Sequence, residues 1–544
     1  MTQRSSILSS LKSRSPDVLI VGGGINGIGT FRDLALQGVD VLLVERGDFC
    51  SGASAASSHM AHGGIRYLEN GEFRLVREAV RERNRLIQNA PHLVRPLPTT
   101  IPIFKTFSGL LNAPLRFLGW LDRPSERGGL VIKIGLLLYD AYTGGSRTVP
   151  RHAFVGRRKA VELFPHIHPK VRYTATYYDG SIFSPERLAL EILLDGEKEG
   201  PHARSLNYAS LAGLEGTAVT LRDELDGHTV KLQPKLIINA AGPWIDGVNR
   251  TLNLPTRYIG GTKGSHLVLD HPELRRAIGD HEFFFENKDG RIVLIFPLGD
   301  RVMIGTSDLP VDDPDSVRCT PEEVGYFIEM IGRVFPGIRV TPEQVVFRFS
   351  GVRPLAHTQA KNAGQITRDH HIQEDRLGDV PVLSLVGGKW TSYRAFSEQV
   401  TDRALALLGL PRRASTVSLP VGGGEGYDAM RQECAGNPLF ERYGSRAREI
   451  ATFISAGKDG PLKNLPDMTR RELAFLAERE KVVHLDDLLL RRTMLAFLGR
   501  LSLPLVEELA GILGETLGWP PGQQEAEAAR ALGILADRHQ VRWD

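Results

Sequence analysis

Three glycines near the start of the 544-residue chain have the spacing of a nucleotide-binding turn. They are Gly22, Gly24 and Gly27 of the stretch GGGINGIG, with Ile25 and Asn26 between the last two. In this spacing the first glycine permits a tight turn and the second lets a pyrophosphate approach the backbone. The third lets a helix pack closely on a strand. The motif therefore predicts a bound dinucleotide.

The carboxylate of Glu45 narrows the choice of dinucleotide. It lies 23 residues after Gly22. At that distance an acidic side chain accepts a hydrogen bond from a ribose hydroxyl and would repel a 2′-phosphate. FAD and NAD therefore fit this position better than NADP.

The segments around these residues predict a βαβ unit. Residues 17–21 form a short apolar run typical of a buried parallel strand, and residues 25–37 carry apolar side chains at helical spacing. Gly38 ends that helix, and residues 39–44 form a second β-rich run that leads to Glu45. A glycine-rich turn without a ligand is the alternative, but strand, helix, second strand and acid all agree with the dinucleotide motif.

Later segments favour FAD over NAD. Residues 51–67, SGASAASSHMAHGGIRY, are rich in small side chains that let a backbone lie against a large planar ligand, although a flexible loop has a similar composition. Two further strand-to-glycine turns follow at residues 235–244 and 380–394. Nicotinamide domains are usually continuous in sequence, so this dispersed pattern indicates a flavin domain with insertions.

Composition excludes several other classes. The net charge is +3 and no polybasic tail is present, which argues against nucleic-acid binding. The three cysteines are scattered, as expected for a reducing compartment, and the His166/His168 and His370/His371 pairs lack further ligands at zinc spacing, so no metal is predicted. The first sixteen residues are expected to form a frayed tail, and no apolar run approaches the ~18 residues of a spanning helix.

A set of motifs resembles a known family over nearly the whole chain. The motifs, in chain order, are GGGINGIG (22–29), SSHMAHGGIRYLENGEFRLVREAVRER (57–83), IKIGLLLYD (132–140), NAAGPW (239–244), KGSHLVL (263–269), FPLGDRVMIGTSD (296–308), FSGVRPL (349–355), ITRDH (366–370), GGKWTSYR (387–394), RYGSRAREI (442–450) and LDDLLLRRTMLAFL (485–498). Together they resemble the FAD-dependent glycerol-3-phosphate dehydrogenases, which are D-amino-acid-oxidase-like flavoenzymes.

The resemblance implies an α/β fold with three domains, an insertion and a linker. A Rossmann-type FAD-binding domain is expected from residues 14–100, 150–255 and 345–400, interrupted by an antiparallel-sheet substrate domain at 256–344. Residues 101–149 are interpreted as a membrane-facing insertion, residues 401–426 as a linker, and residues 427–544 as an all-helical cap.

The substrate implied by the family is small, dianionic and hydroxylated, so converging cations are needed to bind it. Arginine is suited to this because its planar guanidinium can hold a phosphate through two parallel hydrogen bonds. Arg353 and Arg368 are predicted as the phosphate clamp, and Lys389 is placed near the flavin N1–O2 edge, where a cation stabilises the reduced ring. The remaining predicted substrate-binding residues are Arg66, Tyr67, Lys263 and Thr306.

Oxidising a secondary alcohol also requires a group that removes the hydroxyl proton, and histidine titrates in the right range. His62, in the small-residue segment, is the first choice, and His266 is the second. The predicted catalytic set is therefore His62, His266, Arg353 and Lys389. The predicted FAD-binding set is Gly22, Gly24, Ile25, Asn26, Gly27, Glu45, Ser54, Ser57, Ser58, His62, Gly63, Gly64, Ala241, Gly242, Trp244, Gly388, Lys389 and Thr391.

The family resemblance implies oxidation of sn-glycerol 3-phosphate to dihydroxyacetone phosphate, with hydride transfer to flavin N5 and electrons passed to a quinone. The alternatives are another polyol phosphate such as erythritol 4-phosphate, an oxygen-using glycerol-3-phosphate oxidase, or a non-catalytic flavoprotein.

The apolar and basic residues at 107–120 and 129–142 suit a helix lying in a membrane interface, although they also suit packing against the flavin domain. We therefore expect a cytoplasmic protein held peripherally on the inner face of the cell membrane. The sequence leaves the oligomeric state open, with a homodimer as one option.

Overall fold

The computed structural model describes residues 3–65, 72–106, 129–143, 148–287, 291–357 and 369–543. Its strands, in chain order, are β1 (Val18–Val21), β2 (Val41–Val44), β3 (Met60–Ala61), β4 (Val94–Ile103), β5 (Ala153–Gly156), β6 (Tyr173–Ile182), β7 (Ala203–Leu206), β8 (Ala209–Glu215), β9 (Ala218–Asp223), β10 (Thr229–Leu232), β11 (Leu236–Asn239), β12 (Thr262–Leu269), β13 (Glu282–Glu286), β14 (Ile292–Leu298), β15 (Arg301–Gly305), β16 (Leu309–Pro310), β17 (Val345–Arg353), β18 (His371–Leu377) and β19 (Val380–Val386).

The α-helices of the same ranges are α1 (Gln3–Leu11), α2 (Ile25–Leu36), α3 (Phe73–Asn89), α4 (Gly129–Thr143), α5 (Arg157–Leu163), α6 (Pro185–Lys198), α7 (Ile245–Thr251), α8 (Pro272–Ile278), α9 (Pro321–Val334), α10 (Tyr393–Leu408), α11 (Tyr427–Met430), α12 (Pro438–Tyr443), α13 (Ala447–Ser455), α14 (Arg470–Arg479), α15 (Leu485–Asp487), α16 (Leu503–Leu517) and α17 (Gln523–His539).

The first sheet is a Rossmann-type layer with the strand order β18-β19-β11-β1-β2-β7. Its five strands from β19 to β7 run parallel, and β18 pairs with β19 in the antiparallel direction. β1 and β2 are buried along their whole length, because helices α2, α6 and α10 pack on one face of the sheet while α1 and strands β8–β10 pack on the other. A fully covered parallel sheet of this kind confirms the predicted α/β class.

The second sheet is larger than the sequence predicted. Its strand order is β16-β12-β15-β14-β13-β4-β6-β3, with β17 also paired to β12 and β5 also paired to β6. Strands β4, β5, β6 and β17 therefore belong to the second sheet, although residues 94–100, 150–182 and 345–353 were predicted to lie in the FAD-binding domain. The sequence did not predict this pairing, because these strands pair across long sequence separations, which local patterns do not reveal.

Two smaller expectations also change. The predicted linker at 401–426 begins too early, because residues 401–408 complete helix α10, which ends at Gly409 in the left-handed conformation. The N-terminal segment does not fray: α1 buries Ile7 and Leu11, and Arg4 pairs with Asp223. By contrast, helices α11–α17 form the expected helical cap, with its own apolar core.

Candidate active site

A cavity of about 1750 Å³ lies between the two sheets and extends to the cap. The turns that follow β1, β2, β11 and β19 line it, and the second sheet supplies the opposite wall. Ligands of open α/β sheets bind outside the carboxyl ends of the parallel strands, where these turns lie. The volume exceeds the roughly 300–1,000 Å³ of ordinary small-molecule pockets, so it can hold a dinucleotide together with a small substrate.

The glycine turn after β1 has the geometry that the motif predicts. Gly22 has φ +114°, and a Cβ there would lie 2.5 Å from the carbonyl oxygen of Ala240. A Cβ on Gly27 would lie 2.0 Å from the carbonyl oxygen of Gly22. Side chains at either position would therefore force the turn open. Gly24 precedes α2 and lines the cavity, so the helix N-terminus faces the space where a pyrophosphate would bind.

Glu45 is buried and braces the same turn. Its Oε2 accepts the Gly23 amide at 2.8 Å, and its Oε1 accepts the Gly47 amide at 2.9 Å. Burial raises the pKa of this carboxyl, and the two backbone hydrogen bonds oppose that change. Each carboxylate oxygen has a second lone pair, and Glu45 lines the cavity. It can therefore hold the turn and also accept a ribose hydroxyl.

Contacts from distant segments fix the small-residue loop at residues 51–58. Ser54 Oγ accepts the Ile25 amide at 3.0 Å, and the indole nitrogen of Trp390 donates to the Ser54 carbonyl at 2.9 Å. Asn26 Nδ2 donates to the Gly387 carbonyl at 3.0 Å, and a Cβ on Gly388 would lie 2.5 Å from that same nitrogen. The first and last predicted glycine turns therefore form one continuous wall of the cavity.

His62 lies in the turn that follows β3, at the junction of the two sheets. Its amide donates to Thr391 Oγ1 at 3.0 Å, on the side of the first sheet. His62, Gly64, Lys389 and Thr391 all line the cavity. The turn therefore brings the predicted base to the same surface as the predicted flavin-binding lysine.

Arg353 and Thr306 meet on the wall formed by the second sheet. The Nη2 of Arg353 donates to Thr306 Oγ1 at 2.8 Å, and its Nη1 lies 3.3 Å from Asp308 Oδ1. The guanidinium lies over Gly264, where a Cβ would come within 2.3 Å of Nη2. A glycine on β12 thus makes room for a cation that faces the cavity.

His266 is poorly suited to remove a proton. It is stacked on Phe349 at 4.8 Å, and its Nε2 shares a hydrogen bond with Ser58 Oγ at 2.9 Å. Burial, together with the positive charge of Arg353, lowers the pKa of His266 to about 3. A base with so low a pKa takes up a proton poorly near neutral pH.

Lys263 does not face the cavity, which corrects its predicted role in substrate binding. Its Nζ lies 2.7 Å from Glu323 Oε2 and donates to the Arg318 carbonyl at 2.7 Å. Side chains alternate along a strand, so Lys263 points away from the face of β12 that carries Gly264 and His266. Lys263 therefore forms a buried ion pair with Glu323 of α9.

The other predicted residues divide into three groups. Ser57, Ser58, Ala241, Gly242 and Trp244 line the cavity with those described above. Gly27 and Gly63 lie behind its wall and shape the backbone. Arg66, Tyr67 and Arg368 lie outside the described residues.

Sequence reasoning missed the contacts that close the cavity beside Glu45. The guanidinium of Arg46 lies 4.6 Å over the Trp244 ring, and its Nη2 lies 2.6 Å from Asp315 Oδ1. The indole nitrogen of Trp244 donates to the same oxygen at 3.1 Å. Only the position of Arg46 directly after Glu45 was available as a signal, because Asp315 is far away in sequence.

This arrangement fits FAD. The glycine turn and the α2 N-terminus suit a pyrophosphate, Glu45 suits a ribose, and the Gly387–Gly388 turn with Lys389 suits the anionic edge of a flavin ring. In the described part of the chain, no cluster of three or more His, Cys, Asp or Glu side chains could hold a metal ion. The fold and the site define a Rossmann-type flavoenzyme with a helical cap.

Comparison with known proteins identifies the family. Residues 17–393 match the FAD dependent oxidoreductase family, and residues 383–524 match the C-terminal domain of alpha-glycerophosphate oxidase. A glycerol-3-phosphate dehydrogenase of Synechocystis is 35% identical, over 89% of this chain and 90% of its own. The chain belongs to the FAD-dependent glycerol-3-phosphate dehydrogenase family, and FAD is its cofactor.

Two solved structures share the fold. Glycerol-3-phosphate dehydrogenase from Bacillus halodurans, complexed with FAD, has a TM-score of 0.74 and 22% identity, over 98% of this chain and 97% of that one. L-alpha-glycerophosphate oxidase from Mycoplasma pneumoniae, with FAD bound, has a TM-score of 0.51 and 15% identity, over 75% of this chain and 98% of that one.

Proposed function

We propose that the enzyme oxidises sn-glycerol 3-phosphate to dihydroxyacetone phosphate and passes the electrons to a quinone. The observation that carries the proposal is the position of Arg353, whose guanidinium lines the same cavity as His62 and the dinucleotide-binding turn. An arginine fork beside the flavin site suits a small phosphorylated alcohol. The family relationship favours glycerol 3-phosphate among such alcohols.

Each residue has a distinct part in this reaction. Arg353 binds the phosphate, and its hydrogen bond to Thr306 fixes the orientation of the guanidinium. His62 accepts the proton of the hydroxyl that becomes the carbonyl, and Lys389 places a positive charge beside the ring. Bound FAD supplies the hydride acceptor, at N5. Arg368, Arg66 and Tyr67 are proposed as further substrate contacts from the family motifs alone.

Anaerobic reduction of the bound flavin tests the substrate. Purified holoenzyme is mixed with sn-glycerol 3-phosphate, erythritol 4-phosphate or glycerol, and bleaching of the oxidised flavin is followed. Glycerol 3-phosphate is expected to reduce the flavin fastest. Faster reduction by erythritol 4-phosphate would reassign the substrate, and the absence of reduction by any polyol phosphate would indicate a non-catalytic flavoprotein. Reoxidation by a quinone, compared with oxygen, then tests the acceptor.

Arg353→Ala is expected to raise KM for glycerol 3-phosphate about 10- to 100-fold, because a hydrogen bond between charged groups is worth about 1.5–3 kcal/mol. The rate with glycerol, which has no phosphate, should change much less. Steady-state kinetics on both substrates measure the difference. Arg403→Ala is the matched control, since Arg403 forms an exposed ion pair with Glu374 away from the cavity. Equal losses with both substrates would place the phosphate elsewhere.

We also propose that the enzyme binds the inner face of the cell membrane through helix α4. Leu130, Ile134, Leu137 and Leu138 form one apolar face of this helix, and their exposed fractions are 42%, 50%, 54% and 44%. Such a face suits the boundary between headgroups and acyl chains. The basic and aromatic residues predicted at 107–120 lie outside the described residues. No helix among those described is long and apolar enough to cross a bilayer.

Co-sedimentation with anionic liposomes tests this surface. The enzyme is expected to pellet with the vesicles, and Ile134→Glu with Leu137→Glu should release it, because carboxylates would have to enter the apolar boundary and face anionic headgroups. Flavin reduction by glycerol 3-phosphate should persist in this variant. Leu410→Glu with Leu503→Glu is the control, since both leucines are 41% exposed elsewhere on the molecule. Wild-type enzyme that stays in the supernatant at low salt would contradict the proposal.

A further inference from the structure

Helix α4 has a buried face as well as an exposed one. Leu136 and Tyr139 lie on the inner face, where they pack against Val76 and Val80 of α3 and Ala175 of β6. The Tyr139 ring meets the Tyr177 ring edge-on at 5.6 Å. These contacts hold the Tyr139 ring against α3 and the second sheet.

The Tyr139 hydroxyl forms a hydrogen-bonded cluster with buried charged groups. It donates to Asp179 Oδ1 at 2.7 Å and accepts from Arg83 Nη1 at 2.9 Å. The Nη1 of Arg83 also donates to the Tyr178 carbonyl at 2.6 Å and lies 3.4 Å from Asp179 Oδ1. The Arg83 side chain is completely buried and that of Asp179 nearly so. Groups paired in this way have few alternative positions, because breaking one contact leaves a buried charge unsatisfied.

This cluster contacts the turn that carries His62. The Gly63 amide donates to Asp179 Oδ1 at 2.9 Å, the same oxygen that accepts the Tyr139 hydroxyl. A Cβ on Gly63 would lie 2.0 Å from that hydroxyl, so the turn passes directly over it. Two consecutive amides are thus fixed from opposite sides: that of His62 by Thr391 and that of Gly63 by Asp179.

We propose that Tyr139 and Asp179 are positioning residues for His62. They hold the Gly63 amide and so fix the direction of the His62 side chain relative to the flavin site. Because Tyr139 belongs to α4, this helix supports the turn that carries His62 and also exposes the apolar face described above. This inference rests on the proposed role of His62 in glycerol 3-phosphate oxidation, but its structural part, the restraint on the turn, can be measured separately.

Tyr139→Phe tests the proposal without emptying the core, because it removes the hydroxyl and keeps the ring. Removing Asp179 would leave Arg83 buried without its partner, which endangers folding. Tyr173→Phe is the matched control. Tyr173 packs beside the same apolar cluster and its ring lies 5.3 Å from that of Phe154.

Three readouts are made on the FAD-loaded proteins. Hydrogen exchange of peptides covering residues 60–65 should become about 10- to 100-fold faster in Tyr139→Phe, as expected when a hydrogen bond to a charged group is weakened. The visible circular dichroism of the bound flavin should change. Anaerobic flavin reduction by sn-glycerol 3-phosphate should slow about 10- to 100-fold with little change in KM, because a small misplacement of the base affects the reaction more than binding.

The outcomes separate this inference from the proposed function. Unchanged exchange in Tyr139→Phe, or equal effects in Tyr173→Phe, would overturn the positioning role. Faster exchange with a normal reduction rate would also overturn it, because the turn would then not govern the reaction. If glycerol 3-phosphate fails to reduce the wild-type flavin, the proposed function fails, while exchange and circular dichroism still decide whether Tyr139 restrains the turn.

Discussion

Replacing His62 with glutamine is expected to slow flavin reduction by glycerol 3-phosphate about 10²–10⁴-fold, the range that general base catalysis contributes. Glutamine keeps a hydrogen-bonding group but cannot take up the hydroxyl proton. The substitution leaves the backbone amide of residue 62 unchanged, so its hydrogen bond to Thr391 remains available. Substrate binding should therefore survive while the reaction slows. Anaerobic stopped-flow reduction over a range of pH measures the rate and shows whether its acidic limb becomes flat.

His266→Gln separates the two candidate bases. Burial and the charge of Arg353 lower the pKa of His266 to about 3, so it is neutral throughout the working range and its loss should not remove a titrating group. We expect this variant to keep the acidic limb of the rate profile. A normal His62→Gln enzyme beside a slow His266→Gln enzyme would transfer the role to His266. Normal rates in both would leave the proton to water.

Local sequence patterns predicted the dinucleotide-binding part of the site. The glycine turn, α2, β2 and Glu45 lie within one continuous segment, and strand and helix periodicity placed each of them correctly. Gly22 illustrates the reason, since its φ of +114° and its distance to Ala240 exclude any side chain. A position with this backbone requirement must be glycine, and a glycine at a fixed spacing can be recognised in the sequence.

The errors arose where partners are distant. Lys263 was assigned to the substrate because it is a cation followed by a glycine in a family motif, but strand alternation turns it toward Glu323, 60 residues later. The place of strands β4, β6 and β17 in the second sheet was not predicted for the same reason, since only pairing with remote strands defines their sheet. Tyr139 belongs to the family motif at 132–140, but neither it nor Asp179 was assigned a role, because the contacts of both depend on a turn more than 70 residues away in sequence.

The attachment of the cap to the FAD-binding domain depends on a buried network that no local pattern predicted. Asp48, just after β2, lies 2.5 Å from Arg491 Nε and 2.6 Å from Arg492 Nη1, and its other oxygen accepts Arg492 Nη2 at 2.8 Å. Burial alone would raise the pKa of the Asp48 carboxyl, but the two guanidinium groups outweigh it and lower the pKa. The carboxylate therefore stays charged at neutral pH and compensates the buried cations.

Asp48→Asn is expected to lower the free energy of unfolding by about 3–5 kcal/mol, because it leaves the buried guanidinium of Arg492 without its carboxylate. Urea unfolding at pH 7 measures the loss. Since the folded pKa of Asp48 is lowered, its contribution is complete above the unfolded pKa of about 3.9 and declines as the pH falls toward the folded value. The difference between wild type and variant should therefore shrink in acid.

Glu374→Gln provides the control for this network, because Glu374 and Arg403 form an exposed pair, and exposed pairs contribute less than about 1 kcal/mol. A comparably small loss in Asp48→Asn, or a difference that persists unchanged in acid, would mean that the buried network does not stabilise the cap. A large loss at neutral pH that shrinks in acid would show that the Asp48 carboxylate stabilises the attachment of the cap. Asp48 lines the FAD cavity and pairs with Arg491 of the cap. Asp48→Asn should therefore also release FAD more readily, because it weakens the contact between the cap and the cavity wall.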